Sequence, residues 1–159
     1  MILLEADFGQ QEMRVMAHVS QCLRLLQIFW DGRDVHTEAA MAIMGLPREK
    51  AELDDNRRPM KRVNFGVIYG ITEEGLYEDL LENEIEGWSK EDCKQLIEDW
   101  YILHPEVKEW RLETIAFARR KGYVVDMFGR RRFVPEMMCP IRKVQESGAR
   151  MAANMPIQS

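Results

Sequence analysis

The 159 residues include only three cysteines, Cys22, Cys93 and Cys139, an odd number with no metal-ligand spacing. That excludes a disulfide framework and a cysteine zinc site, and it fits reduced thiols in a cytosol-like compartment. No stretch approaches the ~20 consecutive apolar residues that a membrane helix needs. The first residues, MILLEADFGQ, carry no basic region and no cleavage site, so no secretory signal is expected there. Internal repeats and low-complexity linkers are lacking. Disordered and fibrous chains are excluded too, because 46% hydrophobic and 31% charged residues are the proportions of an ordinary globular chain. The length suits one domain, or a domain plus fragments of a neighbour.

Net basic charge is also missing. Lys plus Arg is 22 against 27 for Asp plus Glu, a net charge of −5. The distribution is more telling. Residues 71–100 hold eleven acidic side chains and two lysines, whereas Arg57, Arg58, Lys61 and Arg62 cluster within six residues. A second cluster joins Arg119, Arg120, Lys121, Arg130, Arg131 and Arg132 against Asp126 alone. A polyanion would meet these local patches whatever the net charge. Taken singly, each cluster reads equally well as a solvated surface.

Periodicity gives a mainly helical chain. MILLEAD is a short apolar run ending in a carboxylate and reads as a buried strand. One buried strand cannot satisfy its own backbone groups, so sheet neighbours outside this chain are expected. From Gln10 the period turns helical through Met13, Met16, Ala17, Leu23, Leu26 and Trp30. Asp34 can cap a helix that stops at Gly45, Asn56 one that runs to Gly70, and Thr72 a third. Ser89 with Asp92 opens a fourth in a capping-box pattern, with Cys93, Leu96, Ile97, Trp100 and Tyr101 as its core face. Pro105 starts a fifth that ends at Gly122. Tyr123–Val125 and Phe133–Val134 then flank a short β-hairpin turn. A last helix runs from Pro140 to about Met155, with Pro156 stopping it.

Within the Asn56–Gly70 helix, Arg57, Lys61, Phe65 and Tyr69 recur at every fourth position. Each such step turns only ~40°, so the four form one slowly winding stripe ~18 Å long. Its cationic end is expected at the helix N-terminus, where free N–H groups and the dipole favour anions. Its other end is aromatic. The stripe is thus graded from phosphate binding to base stacking. The competing reading makes Phe65 and Tyr69 core and the basic pair solvated. Pro59 is expected in the first turn, where its missing N–H costs nothing. Asp7, at the end of the strand reading, is a candidate metal carboxylate or a simple helix N-cap. Two-metal phosphoryl transfer needs a second carboxylate, and no candidate for it follows downstream.

Together these segments resemble a known family. Asp7-x-x-x-x-Glu12-x-Arg14, then Arg57-x-x-x-Lys61-x-x-Asn64-Phe65-Gly66-x-x-Tyr69-Gly70, are similar to motifs A and B of the family A DNA polymerases, the DNA polymerase I family. Gly32-Arg33-Asp34-Val35-His36-Thr37, Phe128-Gly129-Arg130-Arg131-Arg132, and Arg150 through Gln158 fit the same family in order. The resemblance implies a mainly α fold: a helical fingers subdomain over 15–145, with palm segments at 1–14 and 146–159. It implies magnesium, two ions in the complete enzyme, held in part by Asp7 and the Phe8 backbone carbonyl. Gln10, Glu12, His36, Arg57, Lys61, Phe65 and Tyr69 would meet the incoming deoxynucleoside triphosphate. Glu12 would exclude a 2′-hydroxyl and Lys61 would join Asp7 in catalysis. Tyr69, Gly70, Arg150, Asn154 and Gln158 would contact the DNA primer-template.

Further partners implied are the remaining palm and thumb, and no membrane. The location implied is cytoplasmic, in a bacterium or a virus-infected host, with an organellar source left open. Phe8, Gly9 and Gln11 depart from the usual Tyr, Ser and Ile, and Pro59 replaces a small helix former. These residues hold no counterpart of the motif C His-Asp hairpin, so the isolated chain is expected to be inactive. Two alternatives stand beside this reading: a single-subunit RNA polymerase fragment, and a nucleic-acid-binding module without catalysis.

Overall fold

A computed structural model describes residues 8–158. The strand expected over MILLEAD, Asp7 included, lies outside the described residues. The described residues form nine α-helices and one antiparallel strand pair. This is the mainly helical architecture that the sequence predicts.

The helices α1 (Gln11–Ser20) and α2 (Leu23–Trp30) replace the single helical run expected from Gln10. The chain breaks at Gln21, which is left-handed with φ 53°, and its N–H closes α1 on the carbonyls of Ala17 and His18. Helix α3 (Val35–Met44) starts at Asp34, whose carboxylate accepts from the Thr37 N–H, and ends at left-handed Gly45. A short α4 (Arg48–Ala51) follows, with no counterpart in the periodicity.

Helix α5 (Asp54–Tyr69) begins earlier than expected. Its N-cap is Leu53, and Asn56 instead donates its side-chain amide to the Lys50 carbonyl at 2.9 Å. The first turn therefore holds Asp54 and Asp55, which complement the helix dipole. Arg57 and Lys61 stand one and two turns in, so the expected N-terminal anion site is not where they lie. Pro59 falls inside the helix, where it removes the hydrogen bond to the Asp55 carbonyl. Asp55 is exposed, so water can take that carbonyl.

Helix α6 (Glu73–Glu82) is capped by Thr72, and α7 (Lys90–Leu103) by the Ser89–Asp92 capping box. Helix α8 (Pro105–Lys121) ends at Gly122 with φ 75°. Strand β1 (Tyr123–Val125) pairs with β2 (Arg131–Phe133) in the register Tyr123↔Phe133. Asp126 closes the turn by accepting from the Phe128 and Arg130 N–H groups, both at 2.8 Å. After a 3₁₀ turn at Pro135–Met138, α9 (Arg142–Gln158) continues through Pro156 instead of stopping before it. A proline that late in a helix forfeits one backbone bond, and Pro156 is itself buried.

One large core unites α1, α2, α3, α5, α6 and α7 around Met13, Met16, Leu25, Met60, Ile68 and Trp100. A smaller cluster under the hairpin joins Ala118, Val124, Val134, Met137 and Ala152. Helix α5 packs against α1, α3, α6, α7 and α9, so it is the element around which the others are arranged. Its buried side is Met60, Val63, Asn64, Val67 and Ile68, which leaves Arg57, Lys61, Phe65 and Tyr69 on the opposite flank.

Candidate nucleotide and template interface

The stripe on α5 is on the surface. Lys61 is exposed, while Arg57, Phe65 and Tyr69 are half-buried. Phe65 is not packed into either core cluster, and Tyr69 lies at the edge of the large one. The core reading of Phe65 therefore fails. A groove of about 570 Å³ runs past Lys61, Phe65, Tyr69, Gly70 and Arg150, which brings α5 and α9 to one site.

Asp34 organises the cationic end. It caps α3, and it accepts from the Thr37 N–H and hydroxyl, each at 2.9 Å. The Arg57 guanidinium grips it with two parallel bonds of 2.9 Å, and the Gln10 amide adds a fifth bond at 3.0 Å. Burial opposes its ionisation, but the bonds from Arg57 and Thr37 hold its carboxyl well below the usual carboxylate range. Two of the five N–H groups of Arg57 are used here, and three remain for another anion. Lys61, beside the groove, forms no ion pair among the described residues.

His36 lies behind the stripe, 2% exposed, with its ring 5.7 Å from that of Phe65. Burial pushes its pKa down to about 4, aided by Arg57 and Lys61 and opposed by Asp34. It is a neutral imidazole at physiological pH. Asn64, fully buried on the core side of α5, donates to His36 Nδ1 at 2.9 Å and accepts from Trp100 Nε1 at 2.6 Å.

At the aromatic end, the Tyr69 hydroxyl donates to Glu12, tying α5 to α1. Burial and then this carboxylate raise the Tyr69 pKa, and Gln158 acts the other way, so Gln158 also reaches Tyr69. Gly70 is left-handed, with φ 71°. A Cβ there would stand 2.0 Å from Arg111 Nη2, so any side chain would displace that guanidinium. Arg111 itself donates to the Ile68 carbonyl at 3.3 Å. Asn154, with its amide nitrogen turned to the carbonyls, donates to Ile68 at 3.0 Å and to Arg150 at 3.2 Å.

The fold thus gathers Gln10, Glu12, His36, Arg57, Lys61, Phe65, Tyr69, Gly70, Arg150, Asn154 and Gln158 along α5, at the starts of α1 and α3, and on the second half of α9. Asp7 lies outside the described residues, and Phe8 stands 78% exposed at their start. No group of three His, Cys, Asp or Glu side chains suited to a metal occurs among the described residues. Four site residues escaped the sequence reading: Asp34 as more than a cap, Asn64 as more than a motif letter, Trp100 as more than core, and Arg111. Asn64 carried a signal, because an asparagine on an otherwise apolar helix face must be hydrogen-bonded when buried.

The family model described as DNA polymerase family A matches residues 1–159. Thermostable DNA polymerase I of Thermus aquaticus is 39% identical over 157 residues, which cover 99% of this chain and 18% of that protein. DNA polymerase I of Streptococcus pneumoniae is 37% identical over 157 residues, 99% of this chain and 17% of that protein. Among solved structures, the POL domain of Pol1 from M. smegmatis, in complex with DNA primer-template and dNTP, superimposes with a TM-score of 0.84 at 32% identity. That match covers 96% of this chain and 26% of the other. The chain spans less than a fifth of the length of these curated relatives.

Proposed function

Because this chain belongs to DNA polymerase family A, we propose that it is the nucleotide- and template-binding part of a DNA-directed DNA polymerase. Residues 15–145 would form the fingers, and 1–14 and 146–159 would join the palm. The observation that carries this reading is the α5 stripe, with Lys61 exposed and without an ion pair among the described residues, and Phe65 and Tyr69 half-buried beside one groove.

Each residue then has a task that its surroundings suit. Lys61 pairs with the triphosphate and is placed to protonate the departing pyrophosphate. Arg57, oriented by Asp34, adds its three remaining N–H groups. His36 offers a neutral N–H donor. Phe65 lies against the sugar and base of the incoming nucleotide. Tyr69 and Gly70 hold the template-base position, and Arg150, Asn154 and Gln158 lie along the minor-groove side of the nascent pair. Minor-groove acceptors occur on every correct pair, so such contacts test pair shape and not sequence. Magnesium would supply charge stabilisation at the reacting phosphate. Asp7 is a suitable ligand for it, and a two-ion site would need a second carboxylate beside it. No helix among the described residues is long and apolar enough to cross a membrane. With bacterial relatives, a cytoplasmic enzyme of replication or repair is the setting proposed.

The test is primer extension. The full polymerase carrying this segment should extend a primer with deoxynucleotides, and the isolated 159-residue chain should not, because it supplies one metal carboxylate where two are needed. Template-directed extension by the isolated chain would defeat that part of the reading.

A second expectation concerns Glu12. Its bond to Tyr69 holds the carboxylate at the start of α1, beside the groove. Glu12→Ala should open room for a 2′-hydroxyl and lower discrimination against ribonucleotides by roughly 1–3 kcal/mol. It should also slow deoxynucleotide use, because Tyr69 loses its acceptor. Competition between ribo- and deoxynucleotides measures the ratio. An unchanged ratio would mean that Glu12 only braces Tyr69.

A further inference from the structure

Trp100, Asn64 and His36 form a chain of hydrogen bonds from the core to the site. The indole of Trp100 can only donate, and it donates to Asn64 Oδ1 at 2.6 Å. That fixes which end of the amide is oxygen. The other end, Nδ2, must donate, and it faces His36 Nδ1 at 2.9 Å and the Val35 carbonyl at 3.5 Å. A nitrogen that accepts carries no proton, so the single proton of the neutral ring is on Nε2. Nε2 has no hydrogen-bond partner among the described residues, and no buried side-chain nitrogen or oxygen there lacks one. Nε2 is therefore the atom through which this nearly buried ring reaches solvent. We propose that Trp100 and Asn64 are positioning residues that hold His36 as its Nε2–H tautomer, aimed as a hydrogen-bond donor at the phosphates of the incoming nucleotide.

The inference rests on the reading of His36 as a phosphate contact. Its physical content is that a neutral imidazole has two tautomers, and only one presents a donor to an anion. The other turns a lone pair toward it. Trp100 is fully buried and bonds to the core side of α5, away from the exposed stripe. Its effect would pass through one amide. The charged groups acting on His36 are Asp34 from its own helix cap and Arg57 and Lys61 from α5. Trp100 and Asn64 add none.

Asn64→Asp reverses the relay. One carboxylate oxygen still accepts from Trp100, but the other can only accept from His36. The imidazole must then place its proton on Nδ1 and lose the Nε2 donor when neutral. Protonation at lower pH restores Nε2–H. The measurement is the nucleotide Kd from single-turnover kinetics of the full polymerase on a primer-template, given as the ratio of variant to parent at each pH. The carboxylate beside the ring also favours the imidazolium and raises its pKa toward neutrality, so for Asn64→Asp this ratio should rise at least fivefold between pH 6 and pH 9. In a His36→Ala background the same substitution should add less than twofold at either pH. Trp100→Phe keeps the packing and frees the amide to rotate, so it should raise Kd about two- to fivefold, an effect that also vanishes without His36. A loss that is constant with pH, or that persists undiminished in the His36→Ala background, overturns the relay and leaves Asn64 a merely structural residue. If His36→Ala by itself leaves Kd unchanged, the phosphate-contact reading fails instead, and the relay fails with it.

Discussion

Lys61→Ala in the full polymerase should weaken nucleotide binding and slow turnover, by one to two decades in single-turnover efficiency. Lys61 projects from the second turn of α5 into the groove and has no carboxylate partner among the described residues. Arg57, one turn earlier, is already bound to Asp34 by two bonds. Among the described residues, Lys61 is thus a cation beside the groove that a triphosphate can recruit without displacing an existing partner. A charge-assisted contact to a phosphate is worth roughly 1.5–3 kcal/mol, and each 1.4 kcal/mol is about tenfold. Arg57→Ala should behave differently, because it also strips Asp34 of its main partner and loosens the start of α3. Rapid-quench measurement of rate and nucleotide Kd separates the two. An unchanged Kd and rate for Lys61→Ala would make Lys61 a solvated helix charge and return the stripe to a surface without function.

The second large effect is on stability and comes from two histidines. His36 and His104 are both nearly fully buried, and burial pushes each pKa down from 6.5 to about 4. For His104 the Trp100 carbonyl, 2.9 Å from Nδ1, pulls slightly the other way. A group whose folded pKa is depressed in this manner favours the folded state while it is neutral. Its contribution is complete above the unfolded value near 6.5 and is lost as pH falls toward the folded value near 4. Two units of that window correspond to about 2.7 kcal/mol per group at most. Urea midpoints of the chain should therefore fall steeply between pH 6.5 and pH 4.5. Asp34, held ionised by Arg57 and Thr37, adds a further loss that begins as pH falls into the ordinary carboxylate range and continues below it. A midpoint that stays flat from pH 7 to pH 4.5 would show that neither imidazole is buried and neutral in the folded protein.

The sequence by itself determined the local elements wherever one short-range interaction decides them. Asp34, Thr72 and the Ser89–Asp92 box cap their helices as read, and Gly45, Gly70 and Gly122 end theirs, because a side chain two or three residues away is all that a cap needs. The stripe on α5 was legible too, since 3.6 residues per turn places Arg57, Lys61, Phe65 and Tyr69 on one flank without help from the rest of the chain. Family membership followed from ordered motifs for the same reason: they are local strings.

What only the tertiary structure decided are the partners. Asn56 lost the cap position to Leu53 because α4 offered its amide the Lys50 carbonyl. The break at Gln21 lets α2 turn back onto the core, an outcome that no period of 3.6 encodes. The choice between core and site for Phe65 depended on whether another element covered it, and none of the core clusters does. The bidentate hold of Asp34 on Arg57 joins residues 23 apart, and the Trp100–Asn64 bond joins residues 36 apart. Such contacts form only when packed helices bring distant side chains within 3 Å, and their burial makes them strong, since an amide or guanidinium removed from water must find its partner in the protein.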